Sequence, residues 1–232
     1  MRCCLGPGLL FILLTPAFSQ NQTTNEFWPE AQLFYELQPG LRLVISAKRE
    51  RDIDFKNTET GAELEYSFHR RRPIIDSPWV DLDATRRALV SIRIGYKYKL
   101  AFDEPRPVHE NRPHAEFTTR KVFIGNILVS NRALWEFRLI SGSPYSWRYR
   151  NRLQVEKDLR LNRYSFTCYL AGEPFYNSGK SSWNQFRFST GVVLPVGRRL
   201  AVEPYYLRQI INDSEPRYTN ALGLVGKVYW GK

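Results

Sequence analysis

Within the segment Trp147–Glu156, arginine recurs at three alternate positions, and glutamine and glutamate continue the row, a spacing that could serve ionic chemistry. Arg148, Arg150 and Arg152 fall in one row, and the alternate row is mostly apolar. Because successive side chains of a β-strand leave opposite faces, a period of two predicts a strand. The charged row would face water in a soluble β-sandwich, but it would face the lumen in an outer-membrane barrel. This strand alone fits both architectures.

Neighbouring predicted strands carry arginine and glutamate in the row that would face the same way. In a barrel of ten to twelve strands the lumen is only slightly wider than side chains can fill, so we expect these charges to interlock as ion pairs. Two interpretations stay open: a polar core that holds the barrel in shape, or a constriction that favours anions. The predicted lumen set consists of Arg132, Glu136, Arg138, Arg148, Arg150, Arg152, Glu156, Glu173, Arg187 and Glu203.

The first nineteen residues have the layout of a secretory signal peptide. Arg2 supplies a positive start, Leu5–Leu14 an apolar stretch, and Ala17–Ser19 a small-x-small cleavage site. The apolar stretch is too short to cross a bilayer, which needs about twenty residues. We therefore predict a cleaved signal peptide over residues 1–19 and a single outer-membrane β-barrel domain over residues 20–232.

The chain of 232 residues has a formal net charge of +11 and 14% aromatic residues, which suits one β-rich domain. The basic excess favours contact with polyanions. For an exported protein we expect lipopolysaccharide phosphates or small anionic solutes, and no nucleic acid. Without the signal peptide, Cys168 is the single cysteine, so we expect no internal disulfide. Cys168 lies in an apolar row and is expected to face lipid.

The longest alternation, Ala88–Phe102, favours a membrane barrel over a soluble sheet. At about 3.3 Å per residue, this strand would approach roughly 50 Å. Strands of soluble proteins are mostly about five or six residues long, whereas a bilayer needs about nine to eleven tilted residues. The length therefore predicts a strand that crosses a bilayer and continues beyond it.

About eleven segments alternate like strands, and none predicts a helix convincingly. From Gly125 onward short turns alternate with longer loops, as expected when the short turns face the periplasm. Asp103–Pro113, rich in proline and charge, is predicted to be a long loop. Since single-chain bacterial barrels usually have an even number of strands, we predict an all-β, antiparallel, up-and-down transmembrane β-barrel of about twelve strands, with ten as the alternative. Arg70–Arg87 is the segment in which a strand is most easily overlooked.

The last predicted strand alternates apolar residues and ends near an aromatic one. This pattern resembles the signal by which outer-membrane barrels are handed to the barrel-assembly machinery, although Gly231 and Lys232 follow the aromatic residue. We therefore expect that machinery and outer-membrane lipid as partners. The residues of the expected assembly signal are Leu222, Leu224, Val228 and Trp230.

No stretch has the spacing of a metal site, a phosphate-binding loop or a serine-hydrolase elbow. We predict no metal, no cofactor and no enzymatic activity. Ser67 and His69 share one strand face and faintly resemble the pair of lipid-cleaving barrel enzymes. Those enzymes place the pair towards lipid, whereas the alternation here points both residues inward. A lipid-modifying barrel enzyme is therefore the least favoured hypothesis.

Several short motifs follow one another in a distinctive order. They are Phe27–Pro29, Arg148–Arg152, Tyr169–Tyr176, Trp183–Arg187 and Pro204–Arg208. Together they resemble DUF2490, a family of bacterial outer-membrane barrels of unknown function. The resemblance covers most of the mature chain and is strongest over residues 132–209. It implies a membrane barrel, and it implies no particular reaction.

These inferences converge on a protein of the bacterial outer membrane that is either structural or a narrow pore with an Arg/Glu-lined lumen. As a pore it would pass small solutes, including anionic ones. The alternative from another class is a secreted, soluble β-barrel or β-sandwich that binds a ligand.

Overall fold

A computed structural model describes residues 22–51, 56–69, 83, 86, 88–102, 107–162, 164–212 and 216–231 of the protein. The predicted signal peptide lies outside the described residues. Most of Arg70–Arg87, the segment proposed to hide a further strand, also lies outside them. Of that segment, only Asp83 and Arg86 are described.

Eleven β-strands of the described chain form one closed barrel in which neighbours in sequence are neighbours in the ring. They are β1 (Gln22–Gln38), β2 (Leu41–Arg51), β3 (Lys56–His69), β4 (Ala88–Ala101), β5 (Val108–Phe123), β6 (Ile127–Ile140), β7 (Ser146–Leu161), β8 (Tyr164–Asn177), β9 (Ser182–Val196), β10 (Leu200–Ile211) and β11 (Arg217–Trp230). A short 3₁₀ turn, Ser178–Lys180, joins β8 to β9. Within the described ranges, no helix is long and apolar enough to cross a membrane. The prediction of an all-β barrel is confirmed.

The barrel closes by pairing its first strand with its last. β1 runs parallel to β11 in a continuous register from Gln22–Arg217 to Tyr35–Trp230, and the other neighbouring pairs are antiparallel. The predictions of twelve or ten strands and of a purely antiparallel ring are therefore wrong. In an up-and-down chain with an odd number of strands, the first and last strands point the same way, so only a parallel pairing closes the ring. Because β3 pairs directly with β4, the ring has no position for another strand between them.

β5 begins inside the segment predicted to be a long loop. Val108–Pro113 pairs with β4, so the loop prediction for Asp103–Pro113 is wrong over its second half. The prediction took charge and proline as signs of an exposed loop. Glu110 and Arg112 are instead buried in the inward row of the strand. Pro113 is tolerated because the pairing between β5 and β6 is interrupted there, so its missing N–H breaks no ladder.

Tight turns of two or three residues join β1–β2, β5–β6, β7–β8 and β9–β10 at one rim. Gly125 and Asn126, in the β5–β6 turn, have φ of 80° and 57°, the left-handed backbone that such hairpins require. Connections at the other rim, from β6, β8 and β10, have four or five residues. The longer loops expected there are shorter because the strands continue into them. The C-terminal end of β11 lies at the tight-turn rim.

Alternation along the strands separates a charged interior from an apolar exterior. On β7, Arg148, Arg150 and Arg152 line the interior, while Trp147 and Leu153 are 38% and 51% exposed outside. The core of the barrel is therefore ionic, the reverse of the usual globular arrangement. Its buried charged side chains include Glu63, Glu65, Glu110, Arg112, Glu136 and Glu173.

Candidate functional site: the charged interior

A cavity of about 810 Å³ occupies the barrel interior and is bounded by side chains from all eleven strands. Among its described lining residues, sixteen are Arg or Lys and ten are Asp or Glu. This lining combines a cationic excess with many ion pairs. The way in which those pairs are distributed around the ring decides what the cavity can bind.

The predicted lumen set gathers on one side of this cavity, on β6 to β10. Nine of its members line the cavity, namely Arg132, Glu136, Arg138, Arg148, Arg150, Arg152, Glu156, Arg187 and Glu203. The tenth, Glu173, is 2% exposed and contacts Arg132 and Arg150. The grouping follows from the period of two, which places alternate side chains of each strand on one face.

Glu136 is a junction for three arginines. Its Oε2 accepts a hydrogen bond from Arg148 Nε at 2.6 Å. Its Oε1 lies 3.5 Å from Arg150 Nη1 and 3.5 Å from Arg112 Nη1. A carboxylate withdrawn from water needs such partners, and charge-assisted bonds to guanidinium groups are among the stronger ones. Glu136 therefore ties β5, β6 and β7 together.

Glu173 is the second junction. Arg150 binds it in a bidentate manner, with Nε and Nη2 at 3.1 and 3.0 Å from the two carboxylate oxygens. Arg132 Nη2 donates to it at 2.7 Å. Arg187 reaches it only at 4.0 Å and donates instead to Gln209 Oε1 at 2.6 Å. The charge of Arg187 is thus only partly compensated.

The ring of Phe175 lies next to three of these arginine side chains. Its side chain is fully buried, and the guanidinium carbons of Arg148, Arg150 and Arg187 lie 5.5, 4.6 and 5.1 Å from its ring centre. Cations near an aromatic face are stabilised by the ring quadrupole. Phe175 therefore helps to hold a concentration of positive charge that two carboxylates alone would neutralise incompletely.

Arg132 and Arg152 stand directly opposite each other on β6 and β7, which places two like charges side by side. Arg152 has no carboxylate within 4 Å among the described residues. Its Nη2 donates to Ser189 Oγ at 3.5 Å, and its guanidinium carbon lies 5.8 Å from the Tyr169 ring centre. The Nε atoms of both arginines are buried and have no acceptor in the described part of the chain.

The opposite side of the ring, β2 to β5, is here called the balanced wall because its charges pair nearly one for one. Each of its interior acids has at least two basic partners within 4 Å. Its acids are Glu50, Glu59, Glu63, Glu65, Glu110 and Glu116. Its bases are Arg42, Lys48, Arg93, Lys97, Lys99, Arg112 and Arg120.

The side formed by β6 to β9 is here called the arginine wall. Within its described residues, two carboxylates serve its middle, Glu136 and Glu173, while Glu156 and Asp158 lie towards the tight-turn rim. Arg138 turns to Glu110 of the balanced wall, at 2.6 Å. The six interior arginines of this wall are Arg132, Arg138, Arg148, Arg150, Arg152 and Arg187.

A family model described as "Protein of unknown function (DUF2490)" matches residues 25–220, from β1 to the beginning of β11. The chain belongs to the DUF2490 family. The resemblance inferred from its motifs is thereby confirmed. No curated protein matches the sequence.

The predicted lumen set of this DUF2490 protein contains no residue of the balanced wall. The alternating acids of β3, Glu59, Glu63 and Glu65, carry the signal that could have identified it. Two of their neighbours in the ion-pair network, Glu110 and Arg112, lie in the segment predicted to be a loop. Arg93 and Lys97, on the predicted strand Ala88–Phe102, supply counter-charges to these acids, so this part of the network could have been found from alternation.

Two described residues of the connection between β3 and β4 reach into the cavity of this family member. Asp83 Oδ1 accepts a hydrogen bond from Arg42 Nη1 at 2.9 Å. Arg86 Nη2 lies 3.0 Å from Asp158 and 3.2 Å from Glu156. Because β2 and β7 stand on opposite sides of the ring, this pair of residues links the two walls across the cavity.

A small apolar cluster completes the ring where β1, β10 and β11 meet. It consists of Trp28, Leu207 and Ala221, with Tyr205 packed against it. Beside it, Glu203 binds Lys227 Nζ at 2.6 Å and accepts a hydrogen bond from the Tyr169 hydroxyl at 2.6 Å. Glu203 thus belongs to a satisfied local network, separate from the Glu136 and Glu173 junctions.

The remaining predicted residues lie on or near the surface of β11, β8 and β3. On β11, Leu222, Leu224 and Trp230 are exposed on the outside, and Val228 of the same row is half-buried. Cys168 is half-buried and alternates with Thr167, which lines the cavity. Ser67, one of the two residues of the lipid-enzyme hypothesis, is buried on the inward row. The side chain of the other, residue 69, lies outside the described part of the structure.

Proposed function

We propose that this protein is an outer-membrane β-barrel of a Gram-negative bacterium whose narrow, Arg/Glu-lined lumen admits small solutes and prefers anions. The observation that carries the proposal is the inverted polarity of the barrel, with charged side chains inside and apolar side chains outside. Such an exterior suits a bilayer, because hydrocarbon cannot solvate charged groups or open strand edges. A closed ring presents no such edge.

Strand length supports the membrane assignment. The eleven strands run from 11 to 17 residues, against the roughly nine to eleven that a tilted strand needs to cross a bilayer. Residues 1–19 support export, and the exposed apolar row of β11 supports recognition by the barrel-assembly machinery.

Aromatic side chains on the outside of β6 to β9 also support it. Trp135, Tyr149, Trp183, Tyr176 and Trp147 form a continuous series of ring contacts, with centroids 5.1 to 6.0 Å apart. The last three lie close to the rim opposite the tight turns. Tryptophan and tyrosine favour the membrane–water interface, where an apolar ring and a polar group are both accommodated.

Cell fractionation tests the location. We expect the full chain in the outer-membrane fraction, with a mobility on gels that changes on heating because the closed barrel resists detergent until it is heated. A matched chain without residues 1–19 is expected to remain in the cytosol. Purely soluble periplasmic protein would overturn the membrane proposal and favour the soluble binding protein.

Planar-bilayer recording tests the pore. In a salt gradient we expect small, discrete conductance steps and a reversal potential that shows preference for anions. Arg187→Gln is expected to reduce that preference, because the side chain lines the cavity and is only partly compensated. Lys121→Gln is the matched control, since it removes one positive charge from the exterior. If the purified, folded barrel never conducts, the pore proposal is wrong and a structural role is favoured.

A further inference from the structure

Arg132 and Arg152 have more hydrogen-bond donors around them than acceptors. They face each other across β6 and β7, and the Nε–H of each is buried without an acceptor among the described residues. Buried donors without acceptors are rare in folded proteins, and a bound ion is one of their standard explanations. The two donors belong to neighbouring guanidinium groups, so one ligand could satisfy both.

The uncompensated charge at this pair is positive, so the missing partner must be negative. Arg132 binds Glu173, but Arg150 already bonds both oxygens of that carboxylate. Arg132 binds it at 2.7 Å and lies 3.7 Å from Glu116, but Arg152 reaches no carboxylate within 4 Å. A negatively charged ligand beside Arg152 would relieve the repulsion between the two arginines.

We propose that Arg132 and Arg152 form a binding site for a compact oxyanion of the carboxylate or phosphate type in the barrel interior. Ser189 Oγ, which accepts from Arg152 at 3.5 Å, is placed to offer a hydroxyl to the same ligand. The inference deepens the proposed function, on which it rests for the route by which an anion enters. Binding itself requires no conduction.

The chemistry of guanidinium favours an oxyanion over a halide at this position. The Nε–H and one Nη–H of an arginine form a planar fork that matches two oxygens of a carboxylate or phosphate. Two such groups side by side can hold a ligand that carries two or more oxygens. A single spherical ion would leave part of each fork unsatisfied.

Arg120 supplies a matched control within the same cavity. It also has no carboxylate within 4 Å among the described residues, but it donates to Ser91 Oγ at 3.0 Å. The residue opposite it on β6 is Ser130, not a second arginine. Removing Arg120 therefore lowers the charge of the interior by the same amount without touching the proposed pair.

The experiment is calorimetric titration of the purified, detergent-folded barrel with inorganic phosphate and, separately, with acetate at constant ionic strength. We expect saturable binding of at least one of them by the unmodified barrel. Arg152→Gln is expected to weaken it at least about tenfold, as loss of a charged hydrogen-bond donor does. Arg152→Lys, which keeps the charge but loses the fork, is expected to weaken it as well, and Arg120→Gln to change it less than about twofold.

Three results would overturn the proposal: no saturable heat with either anion, equal weakening by Arg152→Gln and Arg120→Gln, or full affinity in Arg152→Lys. Heat-modifiable migration establishes that each variant is folded, and the lysine variant keeps the test decisive if the glutamine variant does not fold. If the barrel binds phosphate but never conducts, the proposed pore is wrong and the oxyanion site stands. If it conducts but binds neither anion, the oxyanion site is wrong and the pore stands.

Discussion

The balanced wall and the arginine wall line opposite sides of one cavity, and both consist of basic side chains and glutamates, yet their charges are paired to different extents. In the balanced wall each acid has two or more basic partners, as Glu65 has with Arg42 and Arg93 at 3.1 and 2.6 Å. In the arginine wall two carboxylates, Glu136 and Glu173, serve the middle of the wall, and Arg152 reaches neither.

This difference separates support from recognition. A buried charge that is fully paired has no capacity left for a ligand. Its removal leaves its partners unpaired in a low-dielectric interior. A charge that is incompletely paired contributes less to folding and retains capacity for binding. We therefore expect the balanced wall to govern stability and the arginine wall to govern affinity for anions.

The largest effect is expected for Glu65→Ala in the balanced wall. The substitution leaves the guanidinium groups of Arg42 and Arg93 without their shared carboxylate, and breaking a buried pair in this way typically costs about 3–5 kcal/mol. Urea unfolding of the detergent-folded barrel, followed by tryptophan fluorescence, measures the loss. Glu50→Ala is the control, because Glu50 is 20% exposed and its lysine partners can reach water. Equal losses from the two variants would contradict a special role for the buried pair.

An intermediate effect is expected for Glu173→Gln in the arginine wall. The change removes charge-assisted bonds to Arg132 and Arg150 and should lower the unfolding free energy by about 2–3 kcal/mol. Because it also raises the positive charge at the proposed site, added phosphate should restore stability, by about 2.7 kcal/mol at a hundredfold excess over Kd. Arg152→Gln, which removes half of the proposed site, should gain no comparable stability from phosphate. An equal gain in that variant would indicate general screening by salt.

A smaller loss is expected for Gly95→Ala, which tests how tightly the balanced wall is packed. A methyl group at Gly95 would meet Ala62 O at 2.8 Å and Glu63 Cα at 2.9 Å, and these backbone atoms cannot rotate away. Overpacking of this kind should cost about 1–2 kcal/mol in the same urea titration. Gly226→Ala, which meets nothing within 4 Å, is the control and should be neutral. An unchanged midpoint for Gly95→Ala would show that the wall adjusts.

The smallest effect on stability is expected for Arg152→Gln. The side chain makes no ion pair within 4 Å and faces Arg132, so its loss should change the unfolding free energy by less than about 0.5 kcal/mol. The same urea titration measures it. A loss comparable to that of Glu65→Ala would mean that both walls serve folding equally, and the distinction between them would fail.

Much of the barrel could be predicted from alternation alone. The rows of β6 to β11 place Arg148, Arg187 and Glu203 inside and Trp230 outside, because side-chain direction in a strand depends only on parity. The first half was harder. β5 carries Pro113 and several charges. These features are typical of a loop unless one knows that the charges face an ionic interior.

The number of strands was predicted wrongly for a different reason. Whether β1 meets β11, and in which direction, depends on how the two ends of an eleven-strand sheet come together. No local period in either strand carries that information. A rule drawn from barrels with even numbers of strands favoured twelve, and the parallel pairing of the terminal strands removed the need for another.

The sequence by itself determined most of the strands, the sorting of charged and apolar rows, and membership in the DUF2490 family. These depend on neighbouring positions and on motifs, which the chain carries locally. The tertiary structure decided which charges are paired. Arg132, Arg150 and Arg152 have the same residue type and the same parity, but only the register of β6 to β9 brings two of them to Glu173 and leaves Arg152 beside a like charge.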